Sequence, residues 1–385
     1  MSPQSPLFRD EFQDFPLKRA LSQVVKKRDA GAKVVGAYCS YAPVEVIWAM
    51  GGVPAVLCAF SNTPIAKAEE TLPVNLCPLI KSSFGFIELK TCPFFELTDA
   101  VVGETTCDGK KKMFELIEKH RPLYVMDLPQ CPTNEGAVTY WRHSINGFKN
   151  FLEEKFSTTI TNDALEESIA DCNKKNRLVE KIFAFGACNP SVITWQEMYD
   201  VSTFAMVSNG EATIAKLQEI IATLTERIEK NVFCSKDNAK RVLISGCPIG
   251  GDVLKVLKIV DEEGASIVGL DSCSGLKPFA VEIEEGSNDP LLAIAKRYLQ
   301  IPCACMTPNT GRFEVLKQQV AALKPDLVID LILQSCHTYN VEAVKVESYV
   351  REDLGTNYLK VVTDFSQQDL GQLKTRIAAA LEMGN

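Results

Sequence analysis

The chain alternates short apolar runs with amphipathic helical segments in two separate stretches, and this alternation restricts the fold more than any other feature. Apolar runs of strand length occur at 33–38, 53–57, 99–103 and 122–128, and again at 241–246, 265–271, 326–333 and 358–364. Helical periodicity fills most of the segments between these runs. Strands that alternate with helices form parallel sheets covered by helices. The sequence therefore predicts an α/β protein with two parallel sheets.

The two α/β stretches are separated by a region without strand signals. Between residues 134 and 232 the chain shows three long segments of helical period, which indicate amphipathic helices. We therefore predict an N-terminal α/β domain at 1–130, a helical region at 131–235 and a C-terminal α/β domain at 236–385.

The chain contains 14 cysteines and only 3 histidines. Residues 1–15 are polar and acidic, without the apolar core of a signal peptide, and predict a cytoplasmic protein whose thiols stay reduced. In that compartment many cysteines indicate metal binding or redox chemistry. The scarcity of imidazole favours iron–sulfur clusters, or zinc held by cysteine alone, over other zinc and copper sites.

Charge and hydropathy exclude two other classes of protein. The net charge is −8 and no basic patch could neutralise a run of phosphates, which argues against a nucleic-acid partner. No run approaches about 18 uninterrupted apolar residues, which argues against a membrane span.

The cysteines follow the internal repeat of the chain. Cys39 and Cys247 follow the first strand of each α/β stretch, and Cys107 and Cys336 follow the third. Nine cysteines lie just after predicted strands or at helix starts: Cys39, Cys77, Cys92, Cys107, Cys247, Cys273, Cys303, Cys305 and Cys336. Parallel sheets bind ligands at the carboxyl ends of their strands, so we predict that the fold gathers these cysteines around one cleft.

Other cysteines and motifs have simpler interpretations. A buried cysteine is often only a small apolar residue, and we interpret Cys172, Cys188 and Cys234 as ordinary residues of this kind or as surface residues. The glycine-rich segment 246–252 lies between a strand and a helix but lacks the G-x-G-x-x-G spacing of a dinucleotide loop. It predicts a tight turn.

Two candidate proton donors lie near the same predicted edge. His337 follows Cys336 directly, and Glu104 precedes Cys107 by three residues. Side chains of these types serve as general acids and bases. A structural role for His337 and a helix-capping role for Glu104 remain open from the sequence.

Six segments of the chain together resemble a known family. They are YCSYAPVEVIWAMGGVP, NLCPLIKSSFGF, VVGETTCDGKKKMFE, ISGCPIGG, LQSCHTYNVE and DLGQLKTRIAAALE. This set is similar to the 2-hydroxyacyl-CoA dehydratase component family, and most similar to its branch of double-cubane cluster proteins. The resemblance implies two flavodoxin-like (Rossmann-like) domains plus helices, with an iron–sulfur cluster between the domains.

The resemblance also implies which cysteines hold the cluster. The family's single [4Fe–4S] cubane is held by three cysteines, whose positions match Cys77, Cys107 and Cys336. Its double-cubane branch holds a second cubane, joined through a bridging sulfide as [8Fe–9S]. The second set stays open among Cys39, Cys92, Cys273, Cys303 and Cys305, and the internal repeat favours Cys305 or Cys303.

These observations predict an ATP-dependent, low-potential reductase that acts on a small molecule. The resemblance implies that electrons come from a separate ATP-hydrolysing iron–sulfur activator, and the chain itself has no Walker A motif. We predict a homodimer. The alternatives are a 2-hydroxyacyl-CoA dehydratase subunit with a single [4Fe–4S] cluster, and a cysteine-rich scaffold or metal carrier.

Overall fold

The computed structural model describes residues 6–8, 10–12 and 15–383. Parts of the N-terminal segment 1–15 therefore lie outside the described residues. The strands agree with the predicted apolar runs. In the N-terminal half they are β1 (Val34–Ala37), β2 (Val53–Val56), β3 (Ala100–Glu104) and β4 (Leu123–Met126). In the C-terminal half they are β5 (Arg241–Gly246), β6 (Ser266–Asp271), β7 (Leu327–Leu333) and β8 (Asn357–Thr363).

The eight strands form two parallel sheets of four strands each. The order is β2-β1-β3-β4 in the first sheet and β6-β5-β7-β8 in the second. Every residue of β1, β3, β5 and β7 is buried, as expected for inner strands covered by helices on both faces. Both sheets have the flavodoxin-like strand order. The predicted α/β fold with two such domains is confirmed.

The helices of the N-terminal half connect and cover its sheet. They are α1 (Pro16–Asp29), α2 (Val44–Ala49), α3 (Ile65–Ala68), α4 (Pro78–Glu88), α5 (Pro93–Leu97) and α6 (Asp108–Ile117). Proline occupies the first position of α1, α4 and α5. At that position the missing N–H costs no hydrogen bond and the fixed φ suits the helix.

The middle of the chain is helical, as predicted, but it contains four long helices rather than three. They are α7 (Ala137–Phe156), α8 (Asn162–Ala184), α9 (Trp195–Val207) and α10 (Glu211–Glu229). The prediction missed α9, which begins at a capping box between Thr194 and Glu197. Most of its residues are buried, so it has little of the amphipathic pattern that reveals a surface helix.

The helices of the C-terminal half complete the fold. They are α11 (Leu254–Glu262), α12 (Pro290–Tyr298), α13 (Thr310–Leu323), α14 (His337–Ser348) and α15 (Leu370–Glu382). Two short segments accompany them, a 3-10 turn at Gly251–Val253 and a π-helical turn at Tyr349–Asp353. Among the described residues no helix has the length and apolar character needed to cross a membrane.

The middle helices pack against both sheets. Val35 of β1, Trp141 of α7 and Ile294 of α12 belong to one buried cluster, so a helix of the C-terminal half contributes to the N-terminal core. Helix α9 contacts the edge strands β2 and β6. The domain boundaries at 130 and 235 remain predictions.

The glycine-rich segment 246–252 joins the two halves. A Cβ atom at Gly251, where φ is +45°, would lie 2.3 Å from the carbonyl oxygen of Phe60. The backbone N–H of Asp252 donates to that oxygen at 2.7 Å, and the Asp252 carboxylate accepts from the Asn62 N–H. The predicted strand-to-helix turn is confirmed, and its glycine allows the close approach of the other half.

Candidate functional site

One buried cavity collects residues that follow the strands of both sheets. It encloses about 220 Å³. Nine cysteines contribute to its wall: Cys39, Cys58, Cys77, Cys107, Cys172, Cys273, Cys303, Cys305 and Cys336. The same edge of each sheet faces this space because carboxyl ends of parallel strands emerge on one side.

Seven of the eight cysteines considered as ligands from the sequence line this cavity. The eighth, Cys92, does not, and neither does Cys247, the remaining edge cysteine. The Cys92 sulfur caps α5 by accepting the Phe95 N–H at 3.4 Å. The Cys247 sulfur is buried and accepts the Leu333 N–H at 3.4 Å.

Sequence reasoning missed two cysteines of the wall. Cys58 follows β2 as Cys273 follows β6, so the internal repeat contained the signal that could have found it. Cys172 lies on α8 and gave no such signal. Cys172 is buried, as its interpretation as a small apolar residue allows, and it lines the cavity because α8 packs against α2 and forms part of the wall.

Three cysteines of the cavity wall occupy the N-cap positions of helices. Cys77, Cys107 and Cys336 are the N-cap residues of α4, α6 and α14, and we call them the helix-capping group. A helix N-terminus presents unpaired N–H groups and a partial positive charge, which stabilise a thiolate. Burial nevertheless raises the pKa of Cys77 to about 12 and raises that of Cys107. A hydrogen bond with Cys247 lowers the pKa of Cys336.

Four other cysteines lie in loops of the cavity wall. We call Cys39, Cys273, Cys303 and Cys305 the loop group. The hydrogen bond between Cys303 and Cys305 lowers the pKa of Cys303 to about 6 and raises that of Cys305. Burial raises the pKa values of Cys39 and Cys273. This group therefore contains one thiol that ionises readily and several that stay protonated without a metal.

Each half places a buried lysine beside the cysteines. The Lys110 ammonium lies 3.7 Å from the Glu104 carboxylate and donates to the Tyr38 carbonyl oxygen at 3.3 Å. The Lys277 ammonium lies 3.9 Å from the Asp271 carboxylate and donates to the Tyr339 hydroxyl at 3.2 Å. Glu104 ends β3 and Asp271 ends β6. Both cations can offset negative charge on nearby thiolates.

The two candidate proton donors have different locations. Glu104 is fully buried, and neither carboxylate oxygen has a hydrogen-bond partner among the described residues. Burial raises its pKa to about 7. His337 is exposed at the start of α14 and does not line the cavity. The catalytic roles of both residues remain predictions.

The chemistry of this wall fits an iron–sulfur cluster better than a single metal ion. Among the described residues no three cysteine, histidine, aspartate or glutamate side chains converge on one ion. Each thiolate of a cubane binds a different iron atom, so the ligands of a cluster can stand farther apart. Nine thiols and no histidine line the described cavity, which is the soft donor set that clusters use.

Comparison with known proteins agrees with the resemblance found in the sequence. The family model described as 2-hydroxyglutaryl-CoA dehydratase, D-component, matches residues 39–383. The chain is 38% identical over 381 residues to the putative dehydratase subunit YjiM of Escherichia coli (strain K12), covering 98% of each. It is 24% identical over 360 residues to lactoyl-CoA dehydratase subunit beta of Anaerotignum propionicum, covering 93% of each.

A further relative carries the name of a reductase. The chain is 23% identical over 250 residues to a benzoyl-CoA reductase subunit of Thauera aromatica, covering 64% of this chain and 63% of that protein. The names of these relatives thus include subunits of dehydratases and of a reductase. Because the family model matches nearly the whole chain, the protein belongs to the 2-hydroxyglutaryl-CoA dehydratase D-component family.

Proposed function

We propose that this chain is the cluster-carrying component of an ATP-dependent, low-potential reductase that acts on a small molecule. The observation that carries the proposal is the cavity lined by nine cysteines from both halves and the middle helices. A protein that needed only one cubane would use three of them. When bound, a double-cubane [8Fe–9S] cluster would supply two linked redox centres of low potential.

The ligand assignment is part of this proposal. The helix-capping group Cys77, Cys107 and Cys336 would hold the first cubane. The loop group Cys39, Cys273, Cys303 and Cys305 offers the ligands of the second, with Cys303 and Cys305 adjacent and hydrogen-bonded.

The residues around the cysteines would support a bound cluster in three ways. The mainly apolar lining of the cavity lowers the local dielectric, which strengthens the charge interactions within it. Lys110 and Lys277 offset the negative charge of the thiolates. Glu104, with a pKa of about 7, can hold or release a proton near neutral pH beside Lys110.

The second candidate function is a 2-hydroxyacyl-CoA dehydratase subunit with a single [4Fe–4S] cluster. The helix-capping group alone offers three ligands, and lactoyl-CoA dehydratase subunit beta is a relative. The loop group favours the reductase, because a single cubane leaves these four cysteines of the cavity wall without a role.

Iron and sulfide analysis of anaerobically purified protein separates the candidates. The reductase predicts a brown protein with about eight iron atoms per chain and a similar amount of acid-labile sulfide, whereas the dehydratase predicts about four iron atoms. A colourless protein with stoichiometric zinc would contradict both and favour the scaffold or metal carrier.

The proposal includes a partner and an assembly. Electrons would come from a separate ATP-hydrolysing iron–sulfur activator that docks transiently on a cytoplasmic homodimer of this chain. The test mixes the chain with a candidate activator and a chemical reductant, with and without MgATP, and follows the visible absorbance. Full reduction and substrate turnover without activator and ATP would contradict the proposal of an activator partner.

The homodimer has a separate test. Light scattering of the purified chain measures its mass in solution.

A further inference from the structure

The cavity extends from the cysteines to a wall made by the middle helices. Helix α8 contributes Cys172, Lys175 and Asn176 to this wall, and α9 contributes Ala205 and Met206. The sequence presented this region as a helical insertion between two domains. The structure makes it part of the cavity, so its polar side chains can meet whatever the cavity binds.

Lys175 is a buried cation with little compensation. Its side chain lies in the middle of α8 and the residue is 3% exposed. The ammonium donates one long hydrogen bond, 3.4 Å, to the Ser208 carbonyl oxygen, and makes no ion pair with the described residues. An ammonium has three donors, and a buried charge is costly unless it is paired. The remaining donors therefore suit an anionic ligand.

Arg297 is a second buried cation of the cavity wall. It is 3% exposed, and its Nε donates to the Val281 carbonyl oxygen at 2.9 Å while Nη2 donates to the Pro278 carbonyl oxygen. Its guanidinium stacks on the Tyr298 ring, 4.5 Å from the centroid. It also makes no ion pair with the described residues. The carbonyl contacts orient the guanidinium, and its charge also acts on the Glu180 carboxylate, which does not line the cavity.

One carboxylate lies among the described residues of this wall. Glu45 is buried and accepts the Tyr298 hydroxyl at 2.8 Å, and its own carbonyl accepts the Ser168 hydroxyl. Along the lining of the cavity Lys175 and Arg297 face this one carboxylate, whereas Glu180 and Asp171 act on the same group of side chains from outside the lining. Lys175 keeps donors that no described carboxylate accepts, and an anion in the cavity would accept them.

Lys175 and Arg297 act on a different cysteine from Lys110 and Lys277, the two lysines beside the proposed ligands. Lys110 acts on Cys39, Cys58 and Cys107, and Lys277 acts on Cys273 and Cys303. Lys175 and Arg297 instead influence Cys172, whose pKa burial raises to about 12. A thiol with that pKa is neutral at physiological pH and does not compensate them.

We propose that the α8 end of the cavity is a binding subsite for a small aliphatic carboxylate, with Lys175 and Arg297 as its anchors for the anion. Ala42, Val44 and Met206 also line the cavity and would contact the aliphatic body. That the bound acid is a substrate rests on the proposed function, because the acid would then lie in the same cavity as the cluster held by the cysteines. Lys175 would be a substrate-binding residue and not a cluster ligand.

Calorimetric titration with butyrate tests the subsite, with butyramide as the neutral control of the same shape. Both are titrated into metal-free protein and into anaerobically purified protein. Wild-type protein should bind butyrate at least about tenfold more tightly than butyramide, since hydrogen bonds to charged groups are the stronger ones. Lys175→Met should weaken butyrate binding about tenfold. Lys174→Met, at the exposed neighbouring position, should leave it unchanged.

The outcomes separate this inference from the proposed function. Butyrate and butyramide binding equally well to wild-type protein would overturn the subsite without any variant. Equal butyrate binding by wild type and a folded Lys175→Met protein would overturn the role of Lys175. Preferential butyrate binding by a chain that acquires no iron would keep the subsite and reject the reductase. Iron content should be the same in Lys175→Met and wild type.

Discussion

The two α/β halves share a strand order but present different cysteine environments. In the N-terminal half the connection from β2 to β3 contains α3, α4 and α5, and Cys77 lies at the N-terminus of α4. The matching connection from β6 to β7 contains two helices, α12 and α13. Cys303 and Cys305 lie in the loop between these helices and contact each other instead of a helix end.

This difference shows that strand order and the positions of the connecting helices act separately. The order of strands places the cysteines of both halves at one edge. The point at which each connecting helix begins then decides whether a thiol lies at a helix N-terminus or beside another thiol. The following predictions test whether the halves are equivalent or specialised, beginning with the largest expected effect.

Removing a helix-capping cysteine from either half should abolish most of the iron. Cys107→Ser and Cys336→Ser each delete a proposed ligand of the first cubane, one from each half, and iron content after anaerobic purification should fall to a small fraction. Cys92→Ser is the matched control, because Cys92 also caps a helix but does not line the cavity. Iron loss in the control with retention in Cys107→Ser would refute the assignment.

Removing the loop cysteines should cost about half of the iron. In the double variant Cys303→Ser/Cys305→Ser the second cubane loses two of its four candidate ligands, and iron should fall from about eight to about four atoms per chain. The single-cubane alternative predicts no loss. Retention of the wild-type iron and sulfide content would show that the loop group is not part of the cluster.

The two buried lysines should have similar effects on the reduction potential. Lys110→Met and Lys277→Met each remove a positive charge beside thiolates, so the potential of the bound cluster should become more negative. Lys110→Arg and Lys277→Arg should retain most of the wild-type reduction potential, because both variants keep the positive charge. A redox titration followed by visible absorbance measures the shift. An effect confined to one lysine would show that the halves are electrostatically specialised.

Glu104 should give the metal-free protein a pH-dependent stability. Its pKa is about 7 in the fold against an ordinary value of 4.5, so the folded state binds the proton more tightly than the unfolded state. The free energy of unfolding should therefore fall as pH rises from about 4.5 to 7, by at most about 3 kcal/mol.

Glu104→Gln should flatten this fall, and denaturant unfolding at several pH values measures it. The exposed residue Glu118 supplies the control variant, Glu118→Gln, which should keep the wild-type profile. An unchanged profile in Glu104→Gln would show that another group causes the dependence.

Much of the fold could be read from local pattern. All eight strands and three of the four long middle helices gave clear signals, because apolar period is a local property. Helix α9 did not, since burial on most sides removes its polar face. Cys58 could have been found by extending the repeat to β2 and β6, where it matches Cys273.

The sequence by itself determined two parallel sheets and the seven cysteines at their carboxyl edges, because strand direction places those ends together whatever the remaining packing. Only the tertiary structure decided that α8 and α9 close the cavity and that Cys172 faces it. It also decided that Lys175 is buried there, although a lysine on a helix of this composition usually lies in water. These placements depend on contacts between elements that lie far apart in the chain. The hydrophobic periodicity of a single segment therefore cannot predict them.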